Sequence, residues 1–304
     1  MIYARLARLA LDAATRFRSG GVVVNAHVLT AAQVREQVDA LGRVFDFVSH
    51  DEMLQLRTGR RPFCLLTFDD GKRNNAVETA PELLRLGVPA VFYLTTRYIG
   101  HDAPLWFDRH RALRKVVRPL PAGLNRAALK AMPLAATEAR VDAACRAHGV
   151  DCDPHADSVA AMSWGDARRL AADGFTLGAH SLRHAVLTRE TEADASADIR
   201  ESIAEVTREV GQCPSFAFPN GNYTRRLAQI AFEAGVDTVV TTEPTWMTTS
   251  VPLWRIPRVQ LDAGSSGDRV ALKVAAAAIP GVLVNPDGTG RAYRTVHRHT
   301  TQSS

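Results

Sequence analysis

Two short clusters carry the residues that could do chemistry: Thr67-Phe68-Asp69-Asp70-Gly71 and His180-Ser181-Leu182-Arg183-His184. They offer two adjacent carboxylates and two imidazoles. Neighbouring carboxylates repel when both are ionised, unless a cation takes one of them. A divalent metal bound by Asp70, His180 and His184 would relieve that repulsion and leave Asp69 as a general base for a water activated at the metal. An open three-ligand site with a spare carboxylate beside it suits metal-assisted hydrolysis. Taken singly the motifs are weak, because Asp-Asp-Gly is an ordinary turn.

Placement strengthens them. Each cluster follows an apolar run that reads as a buried strand, Phe63-Cys64-Leu65-Leu66 and Phe175-Thr176-Leu177-Gly178. One rhythm recurs along the chain: an amphipathic helix, a glycine that stops it, then a short apolar strand. Leu83–Gly87 leads into Val88–Leu94, Ala167–Gly174 into Phe175–Ala179, Ile203–Gly211 into Phe216–Phe218, and Leu227–Gly235 into Val236–Thr241. Ser163 with Asp166 resembles a capping box, and Thr224 can cap the following helix. Strand Gly21–Asn25, helix Ala31–Leu41 and strand Phe63–Thr67 fit the same alternation. Repeated strand–helix units predict an α/β fold, a deformed (β/α) barrel of about seven parallel strands related to the TIM barrel. An open doubly wound sheet is the runner-up, weakened because no glycine-rich phosphate loop follows the first strand. In such folds the carboxyl ends of the strands share one rim. His27, Asp69, Asp70, His180 and Asn220 all fall just after predicted strands, so they should converge there.

Length and composition frame this reading. A chain of 304 residues with 46% hydrophobic and 23% charged residues suits one soluble globular domain. No apolar run approaches the roughly 20 residues that span a bilayer, and Arg5, Arg8 and Asp12 interrupt any signal-peptide core. A cytoplasmic location is therefore expected, peripheral at the inner membrane surface if residues 1–18 meet lipid. Residues 1–20 read as a basic amphipathic helix, residues 21–285 as the barrel with a helical insertion at about 100–162, and 286–304 as a disordered tail. The two ends account for the whole net charge of +5. No basic stripe alternates with aromatics in the body, so no nucleic-acid partner is expected. The helix of 1–18 would dock on the barrel or lie on anionic lipid. Cys64, Cys145, Cys152 and Cys213 show no paired spacing, which argues against structural zinc. Trp106 and Phe107 are expected in core packing more than in sugar stacking. His50, His101, His110, His148 and His155 lack a strand-end context and are expected at the surface.

Thr67–Gly71 together with His180–His184 resembles the first two motifs of the polysaccharide deacetylases, the NodB-homology enzymes of carbohydrate esterase family 4. Phe216-Ala217-Phe218-Pro219-Asn220-Gly221 is similar to their third motif, and Gly235–Thr242 with Arg255-Ile256-Pro257-Arg258-Val259 to segments near their C-terminal end. The likeness runs from about residue 21 to 262. It implies removal of acetyl, or a similar acyl group, from an N-acetylated sugar or polysaccharide precursor, as in exopolysaccharide metabolism. Asp69 maps to the base, and Asp70, His180 and His184 map to the ligands of one divalent metal, with zinc expected. Pro219 and Asn220 map to the substrate and oxyanion position, where the Asn220 N–H would help. Two departures stand out: Phe216-Ala217 replaces an arginine that usually orients the base, and the last motif lacks its acid histidine. A branch acting on poly-N-acetylglucosamine carries that histidine on an N-terminal strand, and Val22–Val28 resembles this element, which makes His27 the candidate general acid. The implied partners are an acetylated sugar, an oligosaccharide or a lipid-linked glycan. A catalytically impaired relative that binds carbohydrate or acts as a scaffold is the alternative.

Overall fold

The computed structural model describes residues 20–55, 62–101, 103–153, 155–261 and 264–277. The expected helix over 1–20, apart from Gly20, and the tail over 286–304 lie outside these residues. In chain order the elements are β1 (Gly21–Ala26), α1 (Ala31–Gly42), β2 (Asp46–Phe47), α2 (His50–Gln55), β3 (Phe63–Phe68), α3 (Ala80–Leu86) and β4 (Ala90–Leu94). The insertion carries α4 (Trp106–Val116), α5 (Arg126–Lys130) and α6 (Leu134–Ala147). Then follow α7 (Trp164–Ala172), β5 (Thr176–Ala179), α8 (Glu192–Val210), β6 (Ser215–Ala217), α9 (Arg225–Glu233), β7 (Thr238–Val240), β8 (Val259–Gln260) and α10 (Gly267–Ala277).

Local chemistry sets the helix ends. Thr30 and Gln33 form a reciprocal capping box on α1, and Ser163 and Asp166 do so on α7. Thr224 caps α9 as expected. The strands are parallel and ordered β7-β6-β5-β4-β3-β1-β8, with the short β2 paired to the start of β3. The segment from Ile256 to Gln260 links the ends of this curled sheet. Ile256 bridges Val240 of β7, and Val259 and Gln260 pair with Val24 and Asn25 of β1. The result is the deformed (β/α) barrel that the helix–glycine–strand rhythm implies.

Side chains alternate across the strands and divide the apolar residues in two. Val23, Phe63, Leu65, Val91, Tyr93, Ala217, Val240 and Ile256 fill the interior. Val22, Val24, Cys64, Leu66, Phe92, Leu177, Phe216 and Val239 pack outward beneath the helices. At Gly178 a Cβ would lie 2.6 Å from both the Ser215 carbonyl oxygen and the Tyr93 ring. Glycine there lets the Tyr93 ring occupy the lumen.

The apolar pattern of the sequence does not mark β2, α2 or β8, and two histidines contradict the surface expectation. His50 is 1% exposed and His110 2%. His50 packs at the amino end of the barrel, where its Nε2 is 2.9 Å from Thr238 Oγ1. Burial pushes the His50 imidazole below its ordinary pKa, against the pull of Asp51. His110 Nε2 donates to the Leu124 carbonyl at 2.7 Å and fastens the loop after α4. Both imidazoles find a buried partner, which is what permits them in the core. Among the described residues no helix is long and apolar enough to cross a membrane.

Candidate metal centre

The rim at the carboxyl ends of the strands gathers the candidate residues. Asp69 and Asp70 follow β3, His180 follows β5, and His184 lies in the turn beyond it. Asp70 Oδ1 is 3.6 Å from His180 Nε2 and 3.4 Å from His184 Nε2. One ligand atom from each of the three residues lies within 4.8 Å of the other two, and all three residues are buried. Asp70 Oδ1 has no hydrogen-bond partner, which is costly for a buried carboxylate oxygen. An acceptor-only oxygen and two imidazole nitrogens facing one point form a donor set that fits a divalent cation.

Ligand orientation and charge agree with that use. His180 Nδ1 donates to the Ala217 carbonyl at 2.8 Å, which leaves the Nε2 lone pair turned toward Asp70. Burial drives the His180 pKa down to about 4, despite the pull of Asp69, so the ring is neutral near pH 7. Burial alone would raise the Asp70 carboxyl. The neighbouring imidazoles of His27 and His184 outweigh it and hold Asp70 well below the usual carboxylate range.

Asp69 sits in a different setting. Its oxygens accept from Arg258 Nη1 at 2.6 Å and Nη2 at 2.9 Å, a bidentate pair, and Asn25 Nδ2 approaches Oδ2 at 3.3 Å. Arg258 is fully buried. Its Nε donates to the Thr241 carbonyl and Nη1 also to Thr67 Oγ1, and the guanidinium lies 5.4 Å from the Tyr93 ring centre. Burial would raise the Asp69 pKa, and Arg258 foremost reverses this, so the carboxylate stays ionised. Arg258 immediately precedes β8, which pairs high on β1, and this register carries the guanidinium to Asp69. The base-orienting arginine absent from Phe216-Ala217 thus has a counterpart from elsewhere in the chain.

His27 is half-buried and directly follows β1, the parallel neighbour of β3, so it stands on the same rim as Asp69 and Asp70. Pro219 and Asn220 form the turn after β6, two and three residues beyond the carbonyl that holds His180. Among the described residues other than glycine, four have positive φ: Asp70 (77°), Ser181 (65°), His184 (58°) and Asn220 (57°). All four belong to this cluster. Such conformations cost on the order of 1–3 kcal/mol each and persist where surrounding contacts enforce them.

The insertion supplies one wall. The Phe107 ring packs edge-on to His184 with centroids 4.8 Å apart. Lys72 Nζ lies 5.3 Å from the Phe107 centroid, pairs with buried Asp108 at 2.5 Å, and donates to the Val159 carbonyl. Asp198 of α8 accepts the Leu182 N–H at 2.9 Å and so braces the His180–His184 turn.

Motif and spacing alone assign no role to Arg258, Asp198, Lys72 or Asp108. Two of them nonetheless carry a signal. Arg258 is a charge within an apolar stretch, Ile256-Pro257-Arg258-Val259. Asp198 falls on the buried face of α8 with Ala195, Ile199, Ser202 and Val206.

No curated protein sequence matches the chain. Among solved structures it resembles IcaB from Ammonifex degensii (17% identity, TM-score 0.57, covering 84% of this chain and 98% of that one). The Streptococcus pyogenes deacetylase PplD in complex with acetate is similar at 13% identity (TM-score 0.57, 84% and 97% covered). The BpsB deacetylase domain of Bordetella bronchiseptica is similar at 19% (TM-score 0.54, 80% and 96% covered). At these identities the likeness speaks for the fold alone. The family model described as polysaccharide deacetylase matches residues 57–239, more than half of the sequence and both motif clusters, and the chain therefore belongs to the polysaccharide deacetylase family.

Proposed function

We propose that the chain hydrolyses the acetyl group of an N-acetylated sugar, at the level of a polysaccharide or its lipid-linked precursor. The observation that carries this reading is the unpartnered, buried Asp70 Oδ1 between two imidazole Nε2 atoms, next to a second carboxylate clamped by an arginine. When bound by Asp70, His180 and His184, a divalent ion, which we take to be zinc, would supply Lewis acidity toward the acetyl carbonyl and a water of lowered pKa.

The chain's own groups do the rest. Asp69 takes a proton as the water oxygen bonds to the acetyl carbon. Arg258 keeps Asp69 ionised and fixes the direction of its oxygens. The Asn220 backbone N–H, held on its turn at positive φ, serves the developing oxyanion. As the C–N bond breaks, His27 gives a proton to the departing amine, and acetate and the free amino sugar leave. The alternative of a non-catalytic carbohydrate-binding or scaffold relative draws on the missing acid histidine and arginine of the later motifs, and the Arg258–Asp69 pair answers the second of these.

Acetate release from chito-oligosaccharides, with and without a chelator, tests the reading. Release that stops on chelation, returns with added divalent ion and is abolished in Asp69→Asn while the ion stays bound is the expected result. Turnover by Asp69→Asn at the wild-type rate would refute the role of the base.

A further inference from the structure

Charge is unevenly spread over the insertion. From Arg109 to Thr137 the chain holds seven lysines and arginines and no aspartate or glutamate. Elsewhere many surface arginines are paired, as in Arg35–Glu82, Arg168–Glu209 and Arg200–Glu233. At the far end of α4 they are not. Arg114, Lys115, Arg118, Arg126 and Arg140 are exposed, and among the described residues no carboxylate pairs with them.

These cations form one patch. Arg114 and Arg126 both act on the buried His110 ring. Arg118 Nε donates to the Arg114 carbonyl, and the Arg140 guanidinium lies against Gly123 in the loop that His110 fastens. Val116 sits among them 66% exposed, the most exposed large hydrophobic residue described. The loop beyond adds Pro119, Leu120 and Pro121 and contains no aromatic side chain, so it offers no stacking platform for bases.

We propose that this tip docks the protein on an anionic lipid membrane. Unpaired cations around a protruding aliphatic residue suit a headgroup layer, with the charges at phosphates and the valine at the acyl boundary. The position relative to the metal centre also matters. Phe107, in the first turn of α4, packs on the His184 ring, and Val116 lies nine residues on, about 14 Å along the helix axis. A chain seated by this tip would hold the Asp70 rim close to the membrane surface, within reach of a glycan anchored there.

Sedimentation of the full-length protein with phosphatidylcholine vesicles, with and without phosphatidylglycerol, tests the proposal independently of deacetylation. Wild type should partition onto the anionic vesicles and be released by high salt. The triple variant Arg114→Gln/Lys115→Gln/Arg118→Gln should bind them roughly a hundredfold more weakly, at about fivefold per cation removed, with an unchanged melting temperature. Val116→Ser should lose affinity severalfold. A variant with Arg5, Arg8, Arg16 and Arg18 replaced by serine separates the chain's N-terminus from the tip and should keep most of the binding. Equal partitioning of wild type and the triple variant, or no preference of wild type for anionic vesicles, would overturn the proposal.

Discussion

Replacing Arg258 by glutamine takes away the bidentate partner of Asp69 and leaves a buried carboxylate with only the 3.3 Å contact from Asn25. Breaking a buried ion pair from one side costs about 3–5 kcal/mol, because the remaining charge is uncompensated. The carboxylate can escape part of that cost by holding a proton. Burial, which Arg258 now outweighs, would then dominate and lift the Asp69 pKa. The acidic limb of kcat/KM should therefore move toward neutrality by roughly one to three pH units. Arg258→Lys keeps the charge but cannot reproduce the fork to both Asp69 oxygens together with the Thr241 and Thr67 contacts, so it should show a smaller shift in the same direction. The assay is a pH series of acetate release for wild type and both variants, alongside thermal melts. If the Arg258→Gln profile superimposes on wild type while the protein is folded, the account of Asp69 as a base held ionised by Arg258 is wrong.

Two further outcomes follow from side chains around the cluster. Burial pushes the Asp198 pKa up to about 6, against an ordinary value of 3.8. The folded state then binds more protons than the unfolded one between those values, so this group lowers stability as pH rises toward about 6. Asp198→Asn should gain stability relative to wild type by up to about 3 kcal/mol at pH 8 and about half that at pH 5, read from urea unfolding, and a pH-independent difference would contradict this. Phe107→Ala removes the ring that packs on His184 and should weaken divalent-ion binding about 10–100-fold, with Phe107→Leu closer to wild type. Unchanged affinity in Phe107→Ala would show that the insertion plays no part in holding that ligand.

Much of the barrel is legible in the sequence because buried parallel strands read as continuous apolar runs and glycines close the helices before them. β1, β3 and β5 each fall on such a run, within a residue or so of the expected bounds. The two-residue β2 and β8 carry no run of their own and owe their form to pairing with β3 and β1. For the same reason Arg258 stands inside a recognisable motif without revealing what it does, since its reach to Asp69 depends on the β8 register, which no local pattern encodes. His50 misleads in a related way. A histidine with no recognisable strand before it looks exposed, and only the amino end of β7, 188 residues away, provides the hydroxyl that lets it be buried. Asp70, His180 and His184 are legible because each directly follows a strand or its turn, where parallel topology forces convergence.

The central claim is that Asp70, His180 and His184 hold one divalent ion. Titration of chelator-treated protein with zinc, followed by elemental analysis after desalting, addresses it directly. The account predicts one tightly bound ion per chain in wild type, and loss of that ion in Asp70→Asn, His180→Ala and His184→Ala, each still folded by circular dichroism. Retention of a full equivalent of metal, at wild-type affinity, in all three variants would contradict it.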